Sequence, residues 1–346
     1  MSDLNSTANQ FFSRREAMRP TFRTWLKHLS LLLLTFCTVT LAGLLPPFGL
    51  IGDIFPNIDP QTWTDTFYAL LSLPGAYLHE LYRAAHLFLT DWTYFRHGLS
   101  FSLSLLFILT SHEMGHYVAC RLYGVDATLP FFIPTPPMLG PAGTFGAFIK
   151  IVSPLPSRRA TFDIGVAGPI AGFVALIPVA IVAFLTFQQT AAIPAAQAAD
   201  GGQIVFSDPL LFHFLAFVFR INLEIPMLPN PFYAAAWLGV LVTSLNLIPS
   251  GQLDGGHAMF AVFGERIHYW TGRVAFVAMI LLSVAGLYFF NSPSGILFAV
   301  LLGVMMRIRH PEPLDDTPLD FKRKAVAVLT LLIFALCFMP FPIQIR

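Results

Sequence analysis

The sequence predicts an all-α polytopic membrane protein of about six or seven transmembrane helices with one re-entrant, membrane-associated β-hairpin. Two observations give the class: 55% of the 346 residues are hydrophobic and only 11% are charged, and charge-poor runs near twenty residues recur along the chain. A third gives the hairpin, because one apolar stretch is so crowded with proline that it forbids a helix, while its ends are aromatic and β-prone. The formal net charge of +1 argues against a nucleic-acid surface. Cys37, Cys120 and Cys337 stand singly in apolar stretches, so they read as small core or lipid-facing residues without a disulfide framework.

Residues 1–27 carry Arg14, Arg15, Arg19, Arg23 and Lys27 and read as a cytoplasmic segment. The first span, 28–51, ends on Pro46-Pro47 with no small-residue cleavage site and is expected to be retained. Residues 53–97, with Trp63, Phe67, Leu70, Leu71 and Leu78, form the rest of an extracytoplasmic unit ending at 98. They suit amphipathic interfacial helices that either screen entry or cap the fold.

The second span, 99–120, carries His112-Glu113-Met114-Gly115-His116 and no other charge. On a helix the two histidines lie at i and i+4 on one face, where both imidazoles can meet one Zn²⁺ while Glu113 acts on a bound water. A catalytic zinc usually takes three protein ligands. Asp254 is the best candidate for the third, in the Gly-rich run Asn246 to His257 directly after the apolar segment 232–247; taken by itself it also fits an ordinary turn aspartate. Between these lie the proline-rich hairpin, with strands expected near 129–133 and 144–152, and the third span, 164–187. The hairpin reads either as a headgroup-level loop or as a re-entrant edge able to pair with an extended peptide. Asp163 at the start of the third span reads as a helix cap or dipole partner, Gly165, Gly168 and Gly172 as a close-packing face, and His257 as a ligand-supporting or headgroup-level residue.

The remaining spans are 232–248, 274–290, 294–306, the shortest, and 325–341. Lys and Arg number five, two, four, one, two, none and five in the successive segments up to the last span, with Arg346 after it, so rich and poor connections alternate. Seven spans with a cytoplasmic N-terminus satisfy that alternation, and they bring the HExxH end of span two and Asp254 to the same leaflet. The catalytic membrane core then covers 99–260, and 261–346 supplies C-terminal helices.

Taken together, the HExxH run, Gly143-Thr144-Phe145-Gly146-Ala147, residues 163–172 and residues 246–257 resemble the site-2 protease family of intramembrane zinc metalloproteases. The closest likeness is to the bacterial, cyanobacterial and plastid branch without a PDZ domain. The resemblance implies one Zn²⁺ per chain held by His112, His116 and Asp254, Glu113 as general base, and a transmembrane protein as substrate. It also implies a substrate-orienting or oxyanion role for Asn246 and substrate pairing at Gly143, Thr144, Phe145 and Gly146. The expected setting is a bacterial plasma membrane, or alternatively a plastid membrane. The connection 188–231 is too short for an inserted PDZ domain. The rival classes are a non-proteolytic metal-binding homologue, which would be expected to have lost Glu113 or a ligand, and a transporter, which would be expected to show internal repeats. Oligomeric state and substrate identity are not legible from the residues.

Overall fold

The computed structural model describes residues 20–51, 62–189, 204–307, 314–315 and 317–345. The first nineteen residues of the expected cytoplasmic segment and the middle of the 188–231 connection lie outside the described residues. The chain is mostly helical, in the order α1 (Phe22–Ala42), α2 (Trp63–Thr90), α3 (Trp92–Leu122), β1 (Phe131–Pro134), β2 (Thr144–Phe148), α4 (Arg158–Leu185), β3 (Ile204–Phe206), α5 (Leu210–Phe219), α6 (Pro231–Asn246), α7 (Asp254–Phe263), α8 (Glu265–Phe290), α9 (Ser294–Met305), α10 (Phe321–Cys337) and β4 (Ile343–Ile345). Among the described residues, α1, α4 and α8 are long and apolar enough to cross a membrane.

Local chemistry sets the helix ends. Asp91 closes α2 and opens α3 in one residue, its carboxylate accepting from Thr93 N at 2.7 Å. Ser157 caps α4 through Ala160 N, and Asn230 caps α6 by accepting from both Phe232 N and Tyr233 N. Pro231 occupies the first turn of α6, where a missing N–H costs nothing. Asn230 also donates to the Ala183 carbonyl at 3.2 Å, fixing the start of α6 against the end of α4.

Helices α3, α4 and α6 enclose the main core, where Phe101, Ile108, Leu176, Trp237 and Val240 are almost fully buried. Gly239 permits this approach, since a Cβ there would lie 2.9 Å from Leu176 and 3.0 Å from Ile108. The connections gather at two ends of the bundle. At one end Phe206 stacks on Phe48 at 5.8 Å, β3 pairs antiparallel with β4, and Ile345 N donates to Asn291 O at 3.0 Å. At the other end Arg158 N donates to Asp315 O, Leu314 N to Leu155 O, and Arg158 Nε to Ala261 O.

The expected hairpin forms, with shorter strands than the sequence predicts. Phe131 pairs with Phe148 and Phe132 with Ala147, a bulge follows, and Pro134 pairs with Thr144; an isolated bridge joins Ala127 to Ile151. The hairpin lies along α1. His28 Nδ1 donates to the Pro130 carbonyl at 2.8 Å, and Thr38 Oγ1 to the Gly143 carbonyl at 2.8 Å. Those two residues are about 15 Å apart along a helix, so the contact runs much of the length of α1.

The structure differs from the sequence reading at several local points. Ser157, not Asp163, caps α4, and Asp163 instead faces α10. Helix α8 starts nine residues before its apolar run, because its first turns carry Glu265, Arg266 and Arg273, which an apolar-run criterion leaves out. The short helix α5 falls within what the sequence presents only as a connection, and the β3–β4 pair joins segments too distant for any local signal to announce. The expected amphipathic segment is one helix, α2, with Trp63, Phe67, Leu70, Leu71 and Leu78 exposed and Tyr77 Oη donating to Pro137 O at 3.1 Å.

Candidate metal centre

Near the C-terminal end of α3, the i and i+4 positions put His112 and His116 on one helix face, 4% and 8% exposed. Their Nε2 atoms are 3.2 Å apart. Asp254 arrives from the first turn of α7, with Oδ2 at 3.2 Å from His112 Nε2 and 3.3 Å from His116 Nε2. The loop after α6 can deliver it because Gly255 has no side chain: a Cβ there would lie 2.1 Å from the Leu247 carbonyl oxygen.

These three atoms form a nearly equilateral triangle of acceptors. The backbone carbonyl of Ile164 lies 2.7 Å from His116 Nδ1, so that nitrogen carries the proton and neutral His116 turns a bare lone pair toward the triangle. A carboxylate oxygen is likewise acceptor-only. Three lone-pair donors turned on one point repel unless a cation lies between them. Tetrahedral coordination at the usual zinc–nitrogen and zinc–oxygen lengths sets neighbouring donors about 3.3 Å apart, as these are. Two imidazoles and one carboxylate are also a catalytic zinc donor set that leaves a position for water. The residues fit a metal ion, and His112, His116 and Asp254 would hold it.

Helix α4 makes room for this arrangement through one face of glycines. A Cβ at Gly168 would lie 2.0 Å from His116 Nε2, one at Gly172 3.1 Å from His112 Cβ, and one at Gly165 2.8 Å from His257 Cβ. The close-packing face read from the sequence therefore accommodates the side chains of the site itself. His257 packs there, one turn after Asp254.

Glu113 is buried beside the triangle, and the backbone of Ile149, one residue past β2, reaches its carboxylate. Asn246, the last residue of α6, places Nδ2 3.2 Å from His112 Nε2. The structure thus brings His112, Glu113, His116, Asn246 and Asp254 together. The hairpin residues divide. Gly143 gives its carbonyl to Thr38 and to Thr135 N, and Thr144 Oγ1 bonds the Ile133 carbonyl and accepts from Gly146 N. Phe145 is exposed, and β2 has no second strand partner among the described residues. Sequence reasoning missed Ile149 and Ile164, which act through backbone groups that any residue type would supply.

Residues 100–285, more than half of the chain, match peptidase family M50. The chain is 29% identical over 250 residues to probable zinc metalloprotease EGY1, chloroplastic, of Arabidopsis thaliana, covering 70% of this chain and 43% of that protein. It is 29% identical over 192 residues to probable zinc metalloprotease EGY2, chloroplastic, of Oryza sativa subsp. indica, covering 52% and 32%. It is 27% identical over 260 residues to the Arabidopsis thaliana EGY2 protein, covering 71% and 42%. The chain therefore spans less than half the length of these relatives. With the matched segment enclosing the histidine pair, Glu113 and Asp254, the chain belongs to peptidase family M50.

Proposed function

We propose that this chain is an intramembrane zinc metalloprotease that hydrolyses a peptide bond within or near the transmembrane segment of another membrane protein. The observation that carries the reading is the triangle of buried His112 and His116 with half-buried Asp254, and buried Glu113 beside it, on apolar helices. Zn²⁺ bound at the triangle supplies Lewis-acid polarisation of the scissile carbonyl and lowers the pKa of water toward about 7. Glu113 accepts the proton of the attacking water at its carboxylate and returns it to the amine nitrogen as the C–N bond breaks. Asn246 donates an amide hydrogen toward the oxygen on which negative charge develops.

A peptide bond inside a transmembrane helix is shielded by its own hydrogen bonds, so the substrate must unwind before attack. The free edge of β2 offers replacement partners for an extended segment, and its continuation at Ile149 leads directly to Glu113. The hairpin's long contact with α1 supports a re-entrant position at membrane depth. Seven spans (α1, α3, α4, α6, α8, α9 and α10) with a cytoplasmic N-terminus accord with the gathering of connections at two ends and with the alternation of basic residues. The bilayer is a bacterial plasma membrane or a plastid membrane. Purified protein, incubated in detergent with single-span membrane proteins with and without a zinc chelator, tests the reading: chelator-sensitive cleavage within a span supports it, and chelator-insensitive cleavage or none across the panel refutes it.

A further inference from the structure

A polar joint stands at the same end of the bundle as the metal centre and connects three helices. Arg323, in the first turn of α10, donates from Nε to Asp163 Oδ1 at 3.0 Å and from Nη2 to Asp163 Oδ2 at 2.6 Å. Tyr123, which closes α3 just past the HExxH turn, donates its hydroxyl to the same carboxylate and accepts from Arg323 Nη2 at 3.0 Å. Asp320 caps α10 by accepting from Arg323 N and also meets its guanidinium, which is thus bracketed by two carboxylates. The apolar side is equally built, with Phe162 and Val166 of α4, Ala261 of α7 and Leu319 forming a buried cluster.

The joint is one peptide unit from the metal centre, because Asp163 precedes Ile164, whose carbonyl accepts from His116 Nδ1 at 2.7 Å. A fork of two parallel hydrogen bonds fixes a carboxylate in direction as well as distance. Asp163 held in that fork fixes the α4 turn that presents the Ile164 carbonyl, and that carbonyl sets the ring orientation and tautomer of His116. Arg323 belongs to α10, beyond residues 100–285, so the C-terminal helix reaches the metal centre through this contact.

We propose that Arg323, together with Tyr123, acts through Asp163 as a positioning residue for the metal centre. The proposal rests on the reading of His112, His116 and Asp254 as metal ligands. Its test is the affinity of the full-length protein for Zn²⁺ by chelator competition, with the visible spectrum of the Co²⁺-loaded protein as a direct report on ligand geometry. Arg323→Ala and Asp163→Asn should each weaken Zn²⁺ binding by about tenfold or more, the usual effect of losing a group that orients a metal-bound histidine. Both should alter the Co²⁺ bands, and the double variant should be little worse than either single one. Arg323→Lys should recover part of the affinity, since an ammonium supplies the charge without the fork. Arg273→Ala, at a half-buried arginine of α8 that stacks on Tyr269 away from the joint, should change neither readout.

Wild-type Zn²⁺ affinity and Co²⁺ bands in Asp163→Asn and Arg323→Lys would overturn the proposal, even if the metal-free variants melt earlier, and these two suffice should Arg323→Ala fail to fold. A wild-type protein that binds no Zn²⁺ would overturn the metal-centre reading and this inference with it.

Discussion

Gly168 and His116 are fitted to each other: a Cβ built on Gly168 would stand 2.0 Å from His116 Nε2, the atom that faces Asp254. No rotamer change relieves such an overlap while leaving that nitrogen in the triangle. Gly168→Ala is therefore expected to abolish stoichiometric metal binding, read by elemental analysis of the purified protein. Gly172→Ala, whose Cβ would meet His112 Cβ at 3.1 Å, should retain partial occupancy. Gly75→Ala on α2 has open space around it and should be neutral or stabilising by up to ~1 kcal/mol through helix propensity.

The third ligand makes a separate expectation. Asp254→Ala removes one corner of the donor triangle and leaves two imidazoles, so zinc content should fall well below one per chain. His257→Ala should reduce it much less, because His257 packs behind the triangle against Gly165 and contributes no atom to it. Equal losses in both variants would assign His257 to the metal.

Orientation is open to chemical labelling. Glu224 and Thr317 are exposed and stand in connections expected on opposite faces of the membrane. Cysteine at Glu224 should react with an impermeant thiol reagent in intact cells, and cysteine at Thr317 only after lysis. The reverse pattern would move the metal centre to the other leaflet.

The sequence made the centre legible and its support largely illegible, for physical reasons. His112, Glu113 and His116 are readable because chemistry demands those side chains at helical spacing, and Asp254 is readable because a Gly-rich turn follows an apolar run. Gly165, Gly168 and Gly172 are visible as a packing face, yet only the fold shows that what they pack against is His257, His116 and His112. The Ile164 carbonyl and the Ile149 backbone leave no trace in residue type. Asp163 and Arg323 are 160 positions apart, so nothing local couples them, and a capping role for Asp163 was the natural local expectation. Charge-poor runs marked the positions of α1, α3, α4, α6, α8, α9 and α10 but not of α2, α5 and α7, nor the starts of α3, α4 and α8, since these three helices begin with polar and charged residues before their apolar stretch.

The hairpin supplies a prediction about substrate capture. Gly146 has φ +95 and donates its N–H to Thr144 Oγ1, so its conformation shapes the unpaired edge beside the site. Gly146→Ala meets no neighbouring atom within 4 Å, but it must adopt a backbone region costing an L-residue about 1–3 kcal/mol. Substrate binding should weaken while zinc content stays at the wild-type level, measured by pull-down of an uncleaved transmembrane substrate alongside metal analysis. Lost zinc in this variant would show that the hairpin supports the metal centre instead of the substrate.

Proteolysis itself is tested most directly by Glu113→Gln. The amide preserves the shape of a side chain that is 6% exposed but cannot take a proton from water. The measurement is the single-turnover rate of cleavage of a transmembrane substrate by zinc-loaded protein, with zinc content determined on the same sample. Zinc and substrate binding at wild-type levels with cleavage slowed by ~10²–10⁴-fold or more is the result expected for loss of a general base. Cleavage by Glu113→Gln at the wild-type rate would contradict the assignment of Glu113 and the proteolytic mechanism built on it.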